Sequence, residues 1–173
     1  MMYGRYIASC VFLGVISLPA FVVGQCGGSN LGRVVSSMSD SLSTFETLAE
    51  GSGLLSELSD SPVPVHVFAP NDAAWKPLLN GFGLTVDELA SEKDLVAALL
   101  SLHVVVDPEN AGCLGPATGS KLETLLDQRG QTLSVTPSTV TDPSGVEANI
   151  LEVISVKNGQ LYIVDSVLSP KTS

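Results

Sequence analysis

Apolar positions in the first hundred residues mostly keep a helical period, and those after them mostly alternate. Leu31, Val34, Val35 and Met38 fall three and four apart, which predicts a helix near 30–39. Ser43 followed by Glu46 reads as a capping box, with Phe45, Leu48 and Ala49 on one face behind it and Gly51 as the stop. Leu54, Leu55 and Leu58 add another turn or two. Residues 63–68 are short, β-branched and bounded by Pro62 and Pro70, which predicts a strand. Pro64 places its first residues at a sheet edge, and alternation of His66 with Val65 and Val67 points His66 to solvent. Asn71 is a good N-cap, with Asp72 favourable against the helix dipole. Ala73, Trp75, Leu78 and Leu79 form the apolar stripe of the helix that follows, which Pro77 should shorten or kink. Thr85 and Glu88 form a second capping box. The strongest helix spans 91–102, capped by Ser91 with Glu92 and Asp94 in its first turn. Leu95, Ala98, Leu99 and Leu102, widened by Val96, Ala97 and Leu100, make it a central core element.

From His103 the pattern changes. Residues 104–106, 121–126, 132–136, 146–156 and 161–164 are predicted strands. Arg129-Gly130, Asp142-Pro143-Ser144-Gly145 and the hairpin signal Asn158-Gly159 separate them, and residues 107–120 form a Gly- and Pro-rich loop. Helices first and strands last, with one early strand, predict an α+β domain.

The first 24 residues stand apart. Arg5 precedes an uncharged apolar run from Ile7 to Val23, and Val22 and Gly24 are small at the positions a signal peptidase reads. The expectation is a secretory signal over 1–24, cleaved before Gln25, and one domain over 25–173 with its core at about 30–170. A retained membrane anchor is the alternative reading of the run. Cys10 leaves with the signal, so Cys26 and Cys113 remain as an even pair in an oxidising compartment. One disulfide is expected, with two unpaired thiols as the alternative.

With 173 residues, 45% hydrophobic and 15% charged, the chain can bury a real core, and disorder is not expected. Eight Lys and Arg against 18 Asp and Glu give a net charge of −10, which argues against a nucleic-acid partner. Aromatic residues make up only 5%, so aliphatic packing must supply most of the stability.

Three segments resemble the fasciclin domain family. Val65-His66-Val67-Phe68-Ala69-Pro70-Asn71-Asp72-Ala73-Ala74-Trp75 is similar to its first signature box. Leu99-Leu100-Ser101-Leu102-His103-Val104-Val105 is similar to its central helix running into a strand. Asn158-Gly159-Gln160-Leu161-Tyr162-Ile163-Val164-Asp165-Ser166-Val167-Leu168-Ser169-Pro170 is similar to its closing turn, strand and Asp-x-Val-Leu-x-Pro end. Order and spacing agree across about 30–170. The resemblance implies a fasciclin-like fold, with helices against a mostly antiparallel β-sandwich or wedge. It also implies a structural network of Asn71, Asp72, His103 and Asp165. Leu102 stands where many members have Tyr, and Tyr162 where the closing box often has His. Val153-Ile154 replaces the Asp-Ile pair that some animal members use for integrin contact.

The residues offer little catalytic chemistry. His66 and His103 lack metal-ligand spacing, no nucleophile elbow is present, and the acidic pairs Asp87-Glu88 and Glu92/Asp94 are explained by helix starts. Asp107, Glu109 and Asn110 lack the spacing of a calcium loop. The expectation is therefore a non-enzyme with no metal and no cofactor. The resemblance implies a protein secreted to the matrix or cell wall, acting in adhesion and binding proteins or glycans, with no membrane insertion expected once the signal is gone. Loop 107–118 is a candidate contact surface. A carrier of a small apolar ligand, held between helices and sheet, is the alternative.

Overall fold

The computed structural model describes residues 28–106, 121–125 and 132–170. The expected signal at 1–24, Cys26, Cys113, and the segments 107–118 and 129–130 that were expected to form a loop and a turn lie outside them. Among the described residues, six helices come first: α1 (Leu31–Ser37), α2 (Ser39–Ser52), α3 (Leu54–Asp60), and, after strand β1 (Val65–Pro70), α4 (Asp72–Phe82), α5 (Val86–Ser91) and α6 (Lys93–Leu102). Strands β2 (Val104–Val106), β3 (Lys121–Glu123), β4 (Thr132–Val135), β5 (Thr139–Thr141), β6 (Glu147–Val156) and β7 (Gly159–Val164) complete the α+β chain.

The seven strands make one sheet in the order β2-β1-β7-β6-β5-β4-β3. Every pairing is antiparallel except β1 with β7, which run parallel. Val105 bridges to Thr124, and the Leu125 N–H donates to the Val104 carbonyl, so the two ends of the sheet meet. Where a sandwich or wedge was expected, the sheet is a single, nearly closed barrel.

Two apolar clusters follow from this curl. On the helix side, Val65, Val67 and Ala69 of β1 and Leu161 and Ile163 of β7 pack with Phe45, Leu48, Trp75 and Leu100. Inside the curl, Phe68, Tyr162 and Val164 pack with Leu102, Leu133, Val135, Val140, Ala148 and Leu168. Strand β1 is therefore buried along its whole length, with β2 on one side and β7 on the other. Pro64 lies just before the strand, so the expected edge position does not hold. His66 is 3% exposed and faces the barrel interior rather than water. Alternation marks one wet face only when the other face alone is covered, and here both are.

Three helix expectations also change. Helix α2 starts at Ser39, and Leu42 leaves helical geometry at φ −122°, so Ser43 opens its second half. Helix α4 runs on past Pro77 to Phe82 and ends at Gly83 in the left-handed region. Ser91 closes α5 instead of capping the next helix, and α6 starts at Lys93. Its buried face is Val96, Leu99, Leu100 and Leu102, while Leu95 is 40% exposed. The Thr85 and Glu88 box forms as expected, with both reciprocal bonds made. Strand β5 was not anticipated: Thr139, Val140 and Thr141 are too few to show a period, and pairing on both sides defines them.

Glycine is required at two packing points. A Cβ on Gly32 would lie 1.9 Å from Ser59 Oγ and 2.9 Å from the Leu55 carbonyl, so α1 and α3 touch through it. A Cβ on Gly159 would lie 1.8 Å from the Val65 carbonyl oxygen, which sets the approach of β7 to β1.

Candidate functional site

Polar side chains tie several element junctions together. Asn71 caps α4 by accepting from the Ala74 N–H at 2.9 Å, and its own N–H donates to the Val164 carbonyl at 3.0 Å. It thus joins the end of β1 to the end of β7.

Asp72 turns away from its own helix. Its carboxylate accepts from the Thr44 N–H at 2.8 Å, the Ser43 N–H at 3.2 Å and the Ser43 hydroxyl at 2.9 Å. It caps the second half of α2 just where Leu42 breaks the first. Burial opposes its charge, but the bonds from Thr44 and Ser43 outweigh that and hold the carboxyl below its ordinary range. Asp72→Ala should therefore lower stability by about 1–2 kcal/mol, the usual range for losing an N-cap, as read from urea unfolding.

His103 ends α6 inside the core, with no exposed surface. Its Nδ1 lies 2.7 Å from the Leu99 carbonyl, so Nδ1 carries the proton and donates. Nε2 is then the acceptor of the Leu168 N–H at 3.0 Å. The ring stacks on Trp75 at 6.5 Å between centroids. Burial pushes its pKa down to about 4, against the opposing effects of the Leu99 carbonyl and the Asp142 charge.

Asp165 holds β6: it accepts from the Asn149 N–H at 2.8 Å and from Asn149 Nδ2 at 2.7 Å. Burial again opposes the charge, and the bonds from Asn149 prevail, lowering its pKa. Of the four residues expected to form a network, Asn71 acts between β1 and β7, Asp72 at α2, His103 at the end of α6 and Asp165 at β6. Asp72 and His103 are linked through the helix that carries Asp72 and Trp75.

Three further junctions were not anticipated. Asp142 is buried and accepts from the Ser144 N–H, the Ser144 hydroxyl and the Val146 N–H, closing the turn between β5 and β6. Its second oxygen accepts from the Ser169 N–H at 2.8 Å. Asn158, in the β6–β7 turn, accepts from the Leu31 N–H at 3.0 Å and donates to the Leu58 carbonyl at 2.6 Å, tying α1 and α3 to the sheet. The Asp-Pro-Ser-Gly and Asn-Gly signals marked both turns; their second partners lie too far along the chain to read. Inside the barrel, the Tyr162 hydroxyl bonds to Gln160 Oε1 and lies 3.3 Å from His66 Nδ1, and its ring stacks on Phe68 at 4.7 Å.

Among the described residues, no three His, Cys, Asp or Glu side chains gather as a metal-binding group. No helix among them is long and apolar enough to cross a membrane. Between helices and sheet lies the first apolar cluster. An apolar groove of about 430 Å³ lies instead on the surface, between α4 and the chain after β7, lined in part by Ala74, Pro77, Leu78, Phe82 and Val167.

The family model described as Fasciclin domain matches residues 40–170. Among solved structures, a FAS1 domain pair from the insect cell adhesion molecule Fasciclin I is similar in fold, with a TM-score of 0.66 at 14% identity. The likeness covers 82% of this chain and 51% of that one, so the chain spans about half the length of that structure. No curated protein matches the chain.

Proposed function

Because the chain belongs to the fasciclin domain family, we propose that it is a secreted adhesion or matrix protein that binds extracellular proteins or glycans through its surface, without turnover. The observation that carries this reading is how the polar side chains are used. Asn71, Asp72, His103, Asp142 and Asp165 are engaged by backbone amides at element junctions, which suits a rigid module presenting a fixed surface. The similar structure comes from a cell adhesion molecule, which agrees with that role. The run at 1–24 is read as the signal for export. Bridging between surfaces would use either two faces of one module or two copies of it.

The test is binding of the purified protein to a panel of immobilised matrix proteins and wall or matrix polysaccharides. Saturable binding to at least one component, lost on heat unfolding, is expected. Failure to bind any of them, combined with a strictly monomeric state in sedimentation, would remove the basis of the proposal. The carrier reading is served by the surface groove beside α4, and a co-purifying apolar molecule in native mass spectrometry would favour it.

A further inference from the structure

Asp165 is still tied to Asn149 of β6, but residues 166–170 beyond it belong to no strand, and they close one end of the barrel. Leu168 among them is fully buried in the interior cluster, and Val167 packs against the helix-side cluster. Two successive amides hold this part of the segment, and both donate to side chains: Leu168 N–H to His103 Nε2, and Ser169 N–H to Asp142 Oδ2. The Leu99 carbonyl fixes the tautomer, so Nε2 accepts only while the ring is neutral.

We propose that residues 166–170 form an acid-released strap, closed by neutral His103 and opened when a proton added at Nε2 turns the acceptor of the Leu168 amide into a second donor. The two N–H groups then face each other at the old bond, and Leu168 must leave its seat. Among the described residues, Asp142 is the charged group acting on the ring. From the other elements packed against His103, α4 presents the uncharged Trp75 and β1 the Phe68 amide, which donates to the His103 carbonyl. Once charged, the imidazolium competes with the Ser169 N–H for Asp142, so the second anchor weakens with the first. Opening uncovers the apolar end of the barrel around Phe68, Leu102 and Val164.

Hydrogen exchange on the full chain from pH 7 to 3.5, corrected for intrinsic rates, tests this. An open strap leaves the ring to titrate near its ordinary value, about 6.5. Strap protection should therefore fall about tenfold per pH unit between roughly pH 6.5 and pH 4, then level off. Amides of β1 and β7 should stay at least about tenfold more protected at every pH, the mark of local rather than global opening. Fluorescence of Trp75, the chain's one tryptophan, should report ring protonation near pH 4. In His103→Gln, which keeps an acceptor that does not titrate, the slope should vanish. Equal protection of strap and β7, or a strap whose protection in the unmodified protein does not change with pH, would overturn the proposal whether or not the variant folds.

Discussion

Gly159→Ala should be the most damaging single methyl in this protein. The added carbon would sit 1.8 Å from the Val65 carbonyl oxygen and 2.8 and 2.9 Å from the Val65 carbonyl carbon and nitrogen. All three atoms are backbone in a strand held on both sides, so no side chain can swing away. The residue also has φ of 153°, which a side chain resists. Overpacking and backbone strain each cost about 1–3 kcal/mol, so a total of roughly 3 kcal/mol or more is expected. Urea unfolding should show this as a lower midpoint. Gly81→Ala is the matched control: nothing lies within 4 Å of its added carbon, and it sits inside α4. That change should raise stability by about 0.5–1 kcal/mol. Equal midpoints for the two variants would mean that the contact between β1 and β7 is looser than described.

Trp75→Ala should cost about 3–5 kcal/mol, the range for deleting a large buried aromatic. Trp75 is fully buried in the helix-side cluster and supplies the flat surface on which His103 stacks. At about 2–4 °C per kcal/mol for a chain of this size, the melting temperature should fall by about 10 °C. Trp75→Phe separates volume from polarity. The indole Nε1–H is buried with no hydrogen-bond partner among the described residues, and phenylalanine removes that donor. It should therefore cost much less, about 1 kcal/mol, because the lost contacts are partly offset by relief of the orphan. A Phe variant as unstable as the Ala variant would show that the indole finds a partner after all.

The local signals that proved readable were those whose physics is short-ranged. Asn71 and Thr85 cap the helices they precede because both partners lie within three residues. The α+β order and the hairpin before β7 follow likewise from period and turn chemistry. What sequence could not reveal depends on distant partners. Ser43 looked like a cap because a helix does open there, but the capping group comes from Asp72, across the molecule. His66 looked solvent-facing because nothing local announces that β1 is covered on both faces. Leu95 carries the same period as its neighbours, and only the packing of α6 shows that the buried stripe runs through Val96 and Leu99 instead. Each residue expected to form the network has a structural role. Asp142 and Asn158 matter as much as any of them.

The parallel pairing of β1 with β7 also sets a timetable for folding. Its partners lie 94 positions apart, Val65 against Gly159, and the Leu31 amide finds Asn158 across 127 positions. Contacts so remote slow the search for the native state, because a long loop must close before they reward it. During synthesis β1 emerges early and must wait, with one hydrogen-bonding edge unfilled, until the last strand arrives. A chain cut short before Gly159 would keep that edge bare, a template for association with other chains.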